Sequence, residues 1–337
     1  MVANLAKGLT DLGHEVTTFA CGGSEVSGEF VSVIEKPMYD LIGGFDWNGI
    51  KQYEFLSFFE LGKRINDFDV VHNHMGLHPI ALAPFMDKPF VTTLHSSLPP
   101  DFPYLAEAFR DFPFVSISEA QRKLAPKLNY VGTVYHGIDI KCFQSRLEGV
   151  GNGFVFMGTL SYNKGIDIAV KAAKELGVKL TIAGEIREAD KEFLDKEVFP
   201  YVDGEKIKFI GEVGHEEKNK LFSEADAVLF PSRWIEAFGL VLIEALACGT
   251  PVIALDNGAV SEVLRDGKTG FIVENENSFV EAMEKIKIIS RKDCREEAEQ
   301  RFDISVMAKN YERVYEQLIE ECQKNGNVWS ERNNEQV

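Results

Sequence analysis

Two carboxylates eight positions apart, Glu236 and Glu244, flank Gly239 in the stretch PSRWIEAFGLVLIEALACGTPVIAL from Pro231 to Leu255. The segment reads as a strand end, a loop carrying Glu236, and a helix that opens near Gly239 and contains Glu244. On a regular helix that spacing turns the second carboxylate about 80° from the first at 3.6 residues per turn. The two are therefore no matched acid–base pair. They suit opposite ends of an extended ligand, each accepting hydrogen bonds from vicinal hydroxyls, one set on a sugar and the other on a ribose. Between them, a helix N-terminus with free N–H groups and a positive dipole end favours a diphosphate, and Gly239 permits close backbone approach. A phosphate is expected at Phe238, Gly239 and Leu240.

A second set of polar residues is the histidines His72, His74, His78, His95 and His136. His72 and His74 alternate at strand spacing and face one side, but no zinc-type Cys or carboxylate spacing accompanies them, so the expectation is a polar edge and no metal. His95 stands at a strand end before SSLPP, where an imidazole can serve catalysis or simply a surface. The run Tyr53 to Phe59 (YEFLSFF) reads as helix core rather than as a platform for a ligand, and Glu262 as a first-turn helix carboxylate.

These residues need a scaffold, and the chain supplies alternating strand and helix signals along its 337 residues. Val16 to Ala20, Asp69 to His72, Phe90 to Leu94, Phe114 to Ser116 and Thr133 to Tyr135 read as strands of a first parallel α/β lobe. The flexible run EGVGNG (148–153) places a boundary, giving a first domain over 1–148. A second lobe restarts at Phe154 and extends over 149–322, closing on a long helix from Ile304 that can return to the first domain; 323–337 is a polar tail expected to be poorly ordered. The first domain opens on a helix (Val2, Leu5, Leu9, Leu12), where a doubly wound sheet would first have a strand and a glycine-rich turn; that strand is expected to be missing.

Composition narrows the partners. With 36 Lys plus Arg against 53 Asp plus Glu, a net charge of −17 is the wrong sign for holding a nucleic-acid backbone. The five scattered cysteines suit a reducing compartment, and no apolar run approaches the roughly 18 residues of a membrane span. A cytoplasmic protein, free or peripheral to the membrane, is expected.

Taken in order, LAKGLTDLGHEVTTFA, FDVVHNH, TTLHS, SISEAQR, VYHGID, MGTLSYNKGID and the E-x7-E of EAFGLVLIE followed by ALACGTPVIA resemble the retaining GT-B glycosyltransferases of family 4 (group 1). The resemblance implies an α/β fold of two Rossmann-like domains with parallel sheets facing a cleft. By the family pattern, Glu236 contacts the transferred sugar, Glu244 the ribose, Phe238 to Leu240 the sugar and phosphates through backbone groups, Lys164 the diphosphate, and His95 the sugar near the reacting carbon. One departure stands out: Thr159 occupies a position where the family usually has an arginine that clamps the diphosphate with Lys164. A hydroxyl does not replace a bidentate guanidinium, so either another arginine enters the site, with Arg187 and Arg233 as candidates, or donor affinity is weaker.

The implied activity is metal-independent hexosyl transfer with retention, from a UDP- or GDP-sugar to a glycan, lipid-linked or small-molecule acceptor, with no cofactor. No D-x-D triplet is placed for a divalent ion on the diphosphate. Alternatives are a sugar-nucleotide 2-epimerase or a pyridoxal-dependent phosphorylase of the same fold, and a non-catalytic nucleotide-sugar-binding homologue. Turnover separates the last from the enzymes.

Overall fold

A computed structural model describes residues 1–37, 40, 47–96, 102–148 and 151–325. The chain divides into two units: unit 1 comprises Met1–Gly137 with Ile304–Val337, and unit 2 comprises Ile138–Asp303. The expected fold class, α/β with two Rossmann-like domains of GT-B type, is what the chain has.

The boundary falls at Gly137/Ile138, before the glycine-rich run rather than at 148/149. The cause is local bonding: Ile138 N–H donates to Phe302 O at 2.8 Å and Arg146 N–H to Cys248 O at 3.2 Å, so the residues ahead of EGVGNG are fastened to unit 2. The helix Ile304–Asn325 packs with unit 1, the return to the first domain that the sequence allowed, so unit 2 ends at Asp303 rather than at 322. The helix absorbs the first residues of the expected tail, and positions 326–337 lie outside the described residues.

In unit 1 the elements are α1 (Val2–Asp11), β1 (Thr17–Cys21), β2 (Glu29–Ile34), α2 (Trp47–Gly62), β3 (Val71–Asn73), β4 (Phe90–Thr93), α3 (Phe102–Phe109), β5 (Pro113–Ser116), α4 (Glu119–Leu124) and β6 (Asn129–Thr133). The described strands form two parallel sheets, β1–β2 and β3–β4–β5–β6. Alternation sorts the core into two layers. Phe90 and Phe114 point into a cluster with Phe58, Leu61, Ile80 and Leu128. Their neighbours Val91 and Val115 face Leu5 and Leu9 of α1 and Met307, Tyr311 and Leu318 of the helix Ile304–Asn325. Gly8 lets those two helices touch, since a Cβ there would press on Ala308 and the Ile304 carbonyl. Strand β6 lies earlier than the expected 133–135, because its NYVGT is a half-exposed edge with little apolar signal. In the stretch 53–59, Phe58 is buried as helix core, whereas Phe55 and Phe59 are exposed; the side chain of Tyr53 lies outside the described residues.

Unit 2 contains β7 (Phe154–Met157), α5 (Ile166–Leu176), β8 (Leu180–Ala183), α6 (Lys191–Glu197), β9 (Ile207–Phe209), α7 (His215–Glu224), β10 (Ala227–Phe230), α8 (Leu240–Ala247), β11 (Val252–Leu255), α9 (Val260–Val263), β12 (Gly270–Val273), α10 (Glu276–Lys285) and α11 (Arg291–Phe302). FVFM, LTIA, AVLF and VIAL are continuous apolar runs because a parallel sheet is covered on both faces. All six strands are parallel in the order β12–β11–β10–β7–β8–β9. Counted from β7, this is the doubly wound order 3-2-1-4-5-6, whose switch point lies between β7 and β10.

Candidate functional site

Of the sequence-predicted site residues, all but His95 lie in unit 2, around its switch point. The loop after β7 carries Thr159 and Lys164, and the loop after β10 carries Ser232 and Glu236. Two glycines let the loops meet. Gly165, at φ +70°, lies so close to the Pro231 carbonyl that a Cβ would overlap it. Gly258, at φ +63°, does the same against the Glu236 backbone, whose carbonyl also accepts from Ala259 N–H at 2.9 Å.

Glu236 is buried, and its carboxylate accepts from Lys164 Nζ at 2.5 Å and from Ser232 Oγ at 2.7 Å. The lysine is one-third exposed, so it presents a cation to the surface while its partner stays inside. Glu244 is on α8, as expected, and its carboxylate accepts from Lys218 Nζ of α7 at 2.5 Å, with both side chains largely covered. Gly239 caps α8 at φ +91°, a left-handed conformation that favours glycine. The Phe238 ring is core, edge-on to Phe302 at 6.0 Å, and Leu240 is exposed.

The two candidate arginines part ways. Arg233 forks onto Asp167 at 2.7 and 2.9 Å, reaches Glu276 at 3.2 Å and donates to Tyr162 O at 2.9 Å. Those partners use its guanidinium, so it is not the replacement cation. Arg187 instead sets Nη2 3.5 Å from Thr159 Oγ1.

His95 lies in unit 1, directly after β4. Buried Gln121 holds its loop by donating to Leu94 O at 2.9 Å and Ser96 O at 3.0 Å, and Ser118 caps α4 beneath it. His95 Nε2 and His74 Nδ1 share one hydrogen bond at 2.8 Å, and the His95 ring stacks on His74 and His136 with centroids 5.1 and 5.2 Å apart. His72 completes the set, bonded to Tyr315 and Thr93 at 2.7 and 2.8 Å. Burial lowers all four rings: His72 and His136 to about 3, His95 to about 4, and His74 well below the ordinary imidazole value. The imidazoles are neutral at pH 7 and act as hydrogen-bonding groups. His95 Nδ1 is buried with no hydrogen-bond partner among the described residues, a polar atom ready for a hydroxyl. Among the described residues no cluster of His, Cys, Asp and Glu is arranged to hold a metal ion.

Sequence reasoning missed Ser232 and Lys218, which fix the two carboxylates, and the tiered packing of His74, His95 and His136. Ser232 could have been found from its place at a strand end four residues before Glu236. Lys218 carries no local signal, because it reaches Glu244 from another helix.

Known proteins resemble both units of the chain. The family described as "Glycosyltransferase Family 4" matches residues 1–139 and "Glycosyl transferases group 1" matches residues 138–301. A glycogen synthase of Mycobacterium tuberculosis is 31% identical over 60% of this chain and 55% of its own; the chain thus spans about half the length of the first curated relatives it matches. The solved structure of AviGT4, a glycosyltransferase involved in avilamycin A biosynthesis, is 26% identical, with a TM-score of 0.70 over 95% of this chain and 89% of its own. Anabaena Alr3699/HepE, solved in complex with UDP-glucose, shares the fold at 18% identity and a TM-score of 0.64 over 86% and 85% of the two chains. No helix among the described residues is long and apolar enough to cross a membrane. With one family model over residues 1–139 and the other over 138–301, the chain belongs to the group 1, family 4-like glycosyltransferases.

Proposed function

We propose that the protein takes a hexose from a UDP- or GDP-sugar and passes it, with retention of configuration, to a hydroxyl of a glycan, lipid-linked or small-molecule acceptor. The observation that carries this reading is the Lys164–Glu236–Ser232 cluster at the β7/β10 switch point, one loop away from the positive end of α8. In open α/β sheets ligands bind there, outside the carboxyl ends of the strands. The diphosphate lies at the N-terminus of α8 with Lys164, Glu244 accepts from the ribose hydroxyls and Glu236 from the sugar hydroxyls. Neutral His95 hydrogen-bonds the transferred sugar. A fold neighbour solved with UDP-glucose agrees with a nucleotide-sugar donor.

In the transfer, the bond from the anomeric carbon to the phosphate oxygen breaks, and the acceptor oxygen bonds that carbon on the same face. The acceptor proton passes to the departing phosphate. Lys164 and the helix N-terminus stabilise the charge that develops on the leaving diphosphate, without a divalent ion.

The test is thermal stabilisation of the protein and its Glu244→Ala variant by UDP, GDP, ADP and their sugar conjugates. A ligand at 100 times its dissociation constant adds about 2.7 kcal/mol of stability. One nucleotide should stabilise the wild type and not the variant; equal stabilisation of both would sink the assignment of Glu244.

A further inference from the structure

We propose that Arg187 supplies the second cation of the donor diphosphate, reaching from the loop after β8 to the position of Thr159 on the loop after β7. This inference rests on the donor-site reading above. It begins from charge. A nucleoside diphosphate brings at least two negative charges to the switch point, and Lys164 alone faces them with its own charge already shared with Glu236. The other cations nearby are committed. Arg233 is held by Asp167 and Glu276, and Lys218 by Glu244. Arg291 is not near: its partners, the Arg146, Ala225 and Ser223 carbonyls and Thr250, hold it at the amino ends of β10 and β11, away from the switch point.

Arg187 differs in place and in partners. Strands β7 and β8 pair in parallel as far as Met157 opposite Ala183, and the pairing continues beyond their carboxyl ends. Gly158 N–H donates to Ala183 O at 3.1 Å and Leu160 N–H to Glu185 O at 2.9 Å. Gly184, at φ +147°, permits that closeness, since a Cβ there would overlap the Gly158 carbonyl oxygen. Two residues past Glu185, the chain turns Arg187 back over Thr159. Its contacts are loose: Nε stands 3.5 Å from Glu185 and Nη2 3.5 Å from Thr159, with the side chain 60% exposed. A guanidinium so held keeps its donors for a ligand, and its planar fork matches two phosphate oxygens. Thr159 is small enough to leave it the room, so the cation missing from position 159 arrives from the neighbouring loop.

The test compares wild type, Arg187→Ala, Arg187→Lys and the double variant Thr159→Arg/Arg187→Ala by calorimetric titration with UDP and GDP, and with uridine and guanosine as phosphate-free probes. For the nucleoside diphosphate that wild type binds, Arg187→Ala should weaken affinity about 10-fold, the scale of a charge-assisted hydrogen bond. Affinity for the matching nucleoside should not change. Arg187→Lys should retain part of the diphosphate affinity, and the double variant should regain it. Unliganded melting temperatures should match throughout, as befits an exposed side chain. A diphosphate affinity in Arg187→Ala equal to wild type, or equal losses for diphosphate and nucleoside, overturns the assignment while leaving the donor site standing. If wild type binds neither diphosphate, the donor-site reading fails and Arg187 falls with it.

Discussion

The two units place their polar groups by opposite means. Unit 2 gathers charge at its candidate site: Lys164 on Glu236, Lys218 on Glu244 and an open guanidinium at Arg187. Unit 1 offers neutrality, with four imidazoles driven below their ordinary protonation range by burial beside Tyr311 and Tyr315. Their sheets differ in a parallel way. Unit 2 has a continuous 3-2-1-4-5-6 sheet, whereas the described strands of unit 1 form two sheets, β1–β2 and β3–β4–β5–β6. The ion pairs of unit 2 sit where the central strand of its own sheet ends. Charge thus gathers at the switch point of one continuous sheet, and the neutral rings at the strand ends of a separate one.

The widest consequence concerns acid. A histidine whose folded pKa is depressed binds fewer protons folded than unfolded, so its stabilising contribution is present above about pH 6.5 and drains away as the pH falls toward the folded value. At pH 5 each of His72 and His136, both near 3 when folded, has given up about 2 kcal/mol at 1.36 kcal/mol per pH unit. Unit 2 contains one histidine, His215. Its depressed acids are Glu297, where burial opposes ionisation but hydrogen bonds from Arg301, Arg265 and Lys268 outweigh it, and Asp203, held down by hydrogen bonds from the Ile207 and Glu205 amides, so those contributions are lost only below about pH 4.5. Peptide-resolved amide exchange at pH 7 and pH 5, corrected for intrinsic rates, should therefore show unit 1 opening first. Equal protection of both units at pH 5 would break the comparison.

Within unit 2, Glu236→Gln keeps the volume but removes the charge that holds Lys164. Transfer should fall about 100-fold, the scale of losing one aligned polar group at a reacting centre, with nucleotide affinity changed far less. A kcat unaffected by the substitution would remove Glu236 from the chemistry. The same substitution logic applied to His95, as His95→Phe, should cost transfer without creating pH dependence near neutrality, since the ring it replaces is uncharged there. A rate profile that gains or loses an inflection between pH 6 and 7 would contradict the neutral site.

How much of this was visible beforehand depends on whether the signal was local. The restart at Phe154 and the helix that opens near Gly239 with Glu244 inside it lie where the sequence places them, because a fully buried parallel strand is a continuous apolar run and a glycine marks the helix start. Strands β2 and β12 were not read, since EFVSVI and GFIV are partly exposed edge strands without a continuous buried run. The boundary at 148 was misplaced because glycine marks flexibility, whereas membership of a unit is decided by hydrogen bonds made across the sequence, such as Ile138 to Phe302. For the site, Glu236, Glu244 and Lys164 followed from spacing and resemblance. Their partners Ser232 and Lys218, and the burial that neutralises the histidines, came only with the third dimension.

The smallest expected effect separates the two arginines that the sequence left as equals. Arg233 ties the β10 loop to α5 through Asp167 and to α10 through Glu276, with its guanidinium stacked 4.3 Å from the Tyr162 ring. A partly buried, bidentate pair of this kind contributes more than a surface ion pair, and its loss leaves Asp167 buried without its fork. Arg233→Ala should therefore lower stability by about 1–2 kcal/mol, a melting shift of roughly 2–8 °C for a unit of this size. Nucleotide affinity at temperatures where the protein remains folded should not change. Arg187→Ala should give the reverse pattern, with affinity lost and stability kept. Scanning calorimetry and titration on the two variants therefore decide whether the charge of unit 2 is divided between framework and ligand; a loss of affinity in Arg233→Ala would show that it is not.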